Sequence, residues 1–90
     1  MIYDMTEKQY RERLEQKIAW CKDLLDRELA NEDISFRHKT NLAKFLYKVC
    51  DMEMLFARNT KSLTDKVMFW RKSKREVMID NLRLYIFSKI

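Results

Sequence analysis

The 90-residue chain contains no glycine and no proline. Average usage would place about eleven of the two in a chain of this length, so the double absence is a constraint on the backbone. Without glycine there is no cheap source of the positive φ that primed hairpin turns, phosphate-cradling loops and nucleotide fingerprints need. Without proline there is no rigid turn former. The chain therefore reads as almost pure helix, and chemistry built on glycine-rich loops is set aside.

Histidine and cysteine are scarce as well. The single histidine, His38, is flanked by Arg37 and Lys39, a poor setting for activating a nucleophile, and reads as a surface or capping residue. The two cysteines, Cys21 and Cys50, fall on or beside inner helix positions and read as buried structural thiols, although a Cys-His pair formed in space is compatible with the sequence. Two cysteines and one histidine at these separations match no zinc spacing, and no Glu-x-x-His pair exists for a carboxylate-bridged bundle site. The expectation is a non-enzymatic protein with no catalytic residue, no cofactor and no metal.

Long apolar runs are missing too. The longest mostly apolar stretches, residues 52–57, 67–70 and the tail from 77, fall well short of the ~20 residues of a spanning helix. The first five residues lack a basic region followed by an apolar run, so no secretory signal is read and the cytoplasm is the expected compartment. Free thiols fit that compartment better than a Cys21–Cys50 disulfide.

What is present is a mixture of 47% hydrophobic and 37% charged residues, the composition of a folded domain. The net charge of +5 is unevenly placed: residues 1–33 carry six Lys or Arg against nine Asp or Glu, and the remainder thirteen against five. Either a basic surface faces a polyanion or acidic partner, or the acidic first helix offsets the basic segments internally.

Periodicity divides the single helical domain, residues 1–90, into three long helices. Thr6 and Gln9 form a capping-box pattern, and Tyr10, Leu14, Ile18, Cys21, Leu25 and Leu29 make one stripe, predicting a helix over 7–30. Asn31, Glu32 and Asp33 connect it to a second helix over 35–58, capped by Asp33 or Ser35. There Leu42, Phe45, Val49, Met52 and Phe56 alternate by three and four, the spacing of a coiled-coil seam, and are read as the inner line. Leu46, Cys50 and Leu55 widen that apolar side enough for two neighbours. Asn59 stands in for a C-cap glycine, and Thr60 or Ser62 caps a third helix over 62–88.

The six polar residues Arg71, Lys72, Ser73, Lys74, Arg75 and Glu76 interrupt this third stripe. Either the helix breaks at 71–76, giving four helices, or it projects from the bundle, or the long cationic stems cover the core edge. Beyond them, nine of the last fourteen residues are apolar. Residues 82–86 also have some strand character, but no partner strand is evident and helix is the reading adopted.

The fold class expected is thus all-α, an antiparallel bundle of three or four helices that self-associates through Leu82, Tyr85, Ile86, Phe87 and Ile90. Residues 66–75 hold five cations beside Phe69 and Trp70. The candidate binding set is Arg58, Lys61, Lys66, Trp70, Arg71, Lys72, Lys74 and Arg75, with Trp70 either stacking on a ligand or closing the core. Two functions suit it: a small regulatory or inhibitory protein that binds another protein through this patch and the apolar tail, or a nucleic-acid binder that contacts phosphates through the same patch. The size and composition also suit a phage-type accessory protein.

Overall fold

A chain without glycine must start and stop its helices with polar side chains and tightened turns. A computed structural model describes residues 6–59 and 73–90, and it shows how this is done. Thr6 is extended, its Oγ1 accepts from the Gln9 amide at 3.1 Å, and Gln9 Oε1 accepts from the Thr6 amide at 3.0 Å. This capping box opens α1, Glu7–Leu29. At the other end Ala30 keeps right-handed geometry and the Asn31 amide reaches back to the Glu28 carbonyl at 3.3 Å, tightening the last turn. No described residue has positive φ.

The Asn31 side chain then accepts from the Asp33 amide at 3.0 Å, and Ser35 Oγ accepts from the His38 amide at 3.1 Å. Of the two expected caps, Ser35 takes the role and Asp33 serves the turn. Ser35 opens α2, Phe36–Asn59. Asn59 is the last residue of that helix and has no positive φ, so it does not imitate a C-cap glycine.

A helix starts inside the polar run, as the alternative of a break at 71–76 allowed. Ser73 is extended, at φ −71° and ψ 162°, and with Glu76 it forms a second capping box that opens α3, Lys74–Lys89. Helix does not run unbroken through 71–76, because Ser73 is committed to the cap. The expected portion over 62–72 lies outside the described residues. The tail is helical, and no strand occurs among the described residues.

The three helices of the described residues contribute to one core. Leu14, Cys21 and Leu25 of α1 meet Leu42, Leu46, Cys50, Met54 and Ala57 of α2 and Ile79, Leu82 and Ile86 of α3. Leu25, Leu46, Ile79 and Ile86 are fully buried, each contributing about 1.5 to 3 kcal/mol of transfer free energy. The inner line of α2 differs from the expected seam. Of Leu42, Phe45, Val49, Met52 and Phe56, only Leu42 is buried; Val49 is half-buried and the other three are exposed. The cause is the position of the neighbours. Glu53 holds Lys17 of α1 on one flank, and Asp51 holds Arg83 of α3 on the other. The line through Leu46, Cys50, Met54 and Ala57 lies between those contacts and turns inward.

The start of α3 lies against the start of α1 through Arg75 and Glu7, and its later part meets Asp26 of α1 through Tyr85. Among the described residues, no helix is long and apolar enough to cross a membrane.

Candidate functional site

The described part of the basic patch starts at the mouth of α3. Arg75, only 7% exposed, does not present its charge to a partner. Its Nη2 donates to both carboxylate oxygens of Glu7 at 2.9 Å, Nη1 points to the Ala57 carbonyl at 3.4 Å, and the guanidinium lies 3.9 Å from the Tyr10 ring centroid. Tyr10 in turn stacks on Phe56 at 5.5 Å. Burial pushes the Tyr10 hydroxyl pKa up, with Arg75 partly opposing that rise. The expectation that Arg75 serves a ligand is therefore corrected: the capping box at Ser73 fixes the first turn of α3 so that Arg75 faces the other two helices.

Arg58 and Lys74 remain at the surface. Arg58 Nε lies 3.5 Å from the buried Glu76 carboxylate, and Lys74 borders a shallow groove between α1 and α3 with Arg11, Glu15, Val77 and Met78. Lys61, Lys66, Trp70, Arg71 and Lys72 lie outside the described residues.

The expected self-association set divides in the same way. Leu82 and Ile86 are sealed in the core and are not available to a second molecule, a second correction with the same origin: they lie on the α3 face that α1 and α2 cover. Tyr85 is half-buried; its hydroxyl donates to Asp26 at 2.7 Å, which pushes its pKa up, and Lys22 and Lys89 lie 5.0 and 5.3 Å from its ring centroid. Phe87 and Ile90 do face outward. They are joined by Val77 and Leu84, which sequence reasoning did not single out. The signal was present, since residues 77, 84 and 87 share one helical face.

Phe87 is 76% exposed and Leu84 65% exposed, so α3 carries apolar side chains both inward and outward. A second outward apolar area lies where α1 meets α2: Trp20 and Phe45 pack edge to face at 6.4 Å, next to exposed Met52 and Leu55.

His38 Nε2 sits 3.4 Å from Glu28 Oε2 at the surface, whereas both thiols are free and buried. Burial raises the pKa of each, Cys50 to about 11 with Cys21 adding to the rise, so neither is a thiolate near neutral pH. Among the described residues no group of His, Cys, Asp or Glu is placed to hold a metal ion. No protein-family model, curated protein or solved structure matches this chain.

Proposed function

We propose that this chain is a small non-enzymatic regulatory or inhibitory protein that acts by binding another protein, with the outward face of α3 as its contact. The observation that carries this reading is the exposure of Phe87 and Leu84, with Val77 and Ile90, on a helix whose opposite side already fills the core. Lys74 at the same helix's start supplies a basic margin, and Arg58 a second cation close by. An antiparallel arrangement of α1 with α2 and of α2 with α3 is supported by the pairs Lys17–Glu53, Tyr10–Phe56 and Arg83–Asp51. Two free, buried thiols support a reducing compartment such as the cytoplasm.

Nucleic acid is the second reading, favoured by the thirteen Lys or Arg against five Asp or Glu in residues 34–90. Because Arg75 is spent internally, the chain has fewer phosphate contacts to offer than the sequence suggested. One experiment separates the two. Immobilised chain and its Leu84→Glu/Phe87→Glu variant, both shown to be helical by circular dichroism, are exposed to lysate with and without nuclease. A bound protein that survives nuclease and is lost with the variant is the expected result. Capture that is indifferent to the two substitutions overturns the α3 reading, and capture abolished by nuclease transfers the function to nucleic acid.

A further inference from the structure

Along the groove between α1 and α3 the chain leaves three cations without a carboxylate. Its first section is lined by Arg11, Glu15, Lys74, Val77 and Met78; it continues past Ile18, Ala19, Lys22 and Asn81, and Glu15 and Met78 belong to both sections. The floor is apolar: Ile18 and Met78 are half-buried against the core, and Ala19 is exposed with only a methyl group to fill the space. A groove between two helices, floored by small and apolar side chains, is the seat on which a third helix packs.

The walls are charged, and mostly of one sign. Elsewhere Lys17, Arg27, Arg75 and Arg83 are each held by a carboxylate. Among the described residues neither Arg11, Lys22 nor Lys74 forms an ion pair. The Nε of Arg11 is buried and finds no hydrogen-bond partner among those residues, Lys74 is exposed, and the Lys22 ammonium lies 5.0 Å from the Tyr85 ring centroid. Against these three cations the groove sets one acid, Glu15. Arg11 and Lys22 are 11 positions apart, about three turns, so they share one side of α1 at a separation of about 16 Å, with Glu15 between them.

We propose that the partner of the α3 face is an acidic amphipathic helix seated in this groove, with two carboxylates three turns apart meeting Arg11 and Lys22 and apolar side chains resting on Val77 and Met78 between them. The inference rests on the α3 reading, since Val77 belongs both to the groove and to the outward face, and it adds the side of α3 that is used and the charge the partner carries. Lys74 stands beside Arg11 and doubles the attraction at that end. A basic residue of the partner between its two acids answers Glu15. A phosphate backbone fits less well, because Glu15 repels it at the centre and the apolar floor is left without a contact.

The test is selection of a displayed library of helical peptides about 18 residues long, randomised along one face, on the immobilised full chain. The dominant peptides are then titrated by fluorescence anisotropy against wild type and variants whose helicity is checked by circular dichroism. Enrichment of Asp or Glu at two positions about three turns apart, with apolar residues between, is the expected result. Arg11→Glu/Lys74→Glu should weaken the selected peptides about tenfold or more, and Lys22→Glu, at the other end, about three- to tenfold. Ala19→Tyr, which fills the floor at an exposed position, should weaken them about tenfold. Selected peptides that lack the acidic pair, or that ignore the charge reversals and Ala19→Tyr, overturn the proposal. If those same peptides are released by Leu84→Glu/Phe87→Glu, the α3 reading stands and only the groove falls; indifference to both sets of substitutions overturns both. A labelled DNA duplex that binds more tightly than any selected peptide and is released by the same charge reversals overturns the proposal in favour of nucleic acid.

Discussion

A guanidinium as buried as Arg75 has to be neutralised where it sits, and the Glu7 carboxylate, the Ala57 carbonyl and the Tyr10 ring do so together. The arrangement uses the planar fork of arginine, since Nη2 reaches Glu7 while Nη1 points to the Ala57 carbonyl and the flat face covers an aromatic ring. Lysine could supply the charge but neither the fork nor the flat face. Arg75→Ala should therefore cost about 2 to 3 kcal/mol, below the full value of a deeply buried pair because Glu7 is half-exposed and is solvated once alone. Arg75→Lys should recover less than half of that loss. Urea denaturation of the three proteins decides it, and a lysine variant as stable as wild type would mean that charge alone holds this junction. None of this was legible in the chain, where Glu7 and Arg75 stand 68 positions apart. What the sequence offered locally was a run of cations, and the local reading of such a run is a solvated surface.

Element ends, by contrast, were written in short motifs. The Thr6–Gln9 box was legible and α1 starts where it says. The second box, Ser73 with Glu76, has the same pattern but is hidden inside a polar run whose charge dominates its reading. Ser73 is buried, its Oγ lies 3.4 Å from the Glu76 amide and 3.0 Å from Glu76 Oε1, and the Ser73 amide faces that same oxygen at 3.5 Å. Ser73→Ala should cost about 1 to 2 kcal/mol, and Ser73→Asp, which retains an oxygen at the cap but brings a second carboxylate beside Glu76, should rescue only part of it. Equal thermal midpoints for wild type and Ser73→Ala would mean that the cap does not decide where α3 begins. The inner line of α2 failed for another reason. This helix is apolar over so wide an arc that two lines, Leu42-Phe45-Val49-Met52-Phe56 and Leu42-Leu46-Cys50-Met54-Ala57, both have helical spacing. Periodicity identifies the helix; the positions of α1 and α3, which no window of α2 encodes, choose the line that turns inward.

At the scale of the molecule, three acids gathered at or near the one core respond to pH in the same direction. Burial raises Cys21, Cys50 and Tyr10 alike, Cys50 from an ordinary value of 9.0 to about 11. A raised acid keeps its proton in the folded chain after the unfolded chain has released it. Between pH 9 and 11 the unfolded state therefore binds fewer protons, and stability, fully present below pH 9, falls as pH rises through that window. For Cys50 alone the loss is on the order of 2 kcal/mol by pH 11, and the other two add to it. Lysine deprotonation begins in the same range and weakens pairs such as Lys17–Glu53, so a fall in the wild-type curve is not by itself diagnostic. The comparison with Cys50→Ala is. That variant is less stable at neutral pH because it leaves a small void, but its urea midpoint should fall less steeply between pH 9 and 11, and the two curves should converge. The difference in absorbance near 240 nm between wild type and Cys50→Ala, in which the tyrosinates cancel, supplies the direct readout of Cys50: in the folded protein it should rise mainly above pH 10, and in urea nearer pH 9. Curves that stay parallel from pH 8 to 11 would show that the thiol ionises as readily inside the fold as outside it, and that the three helices do not shield their shared centre from water.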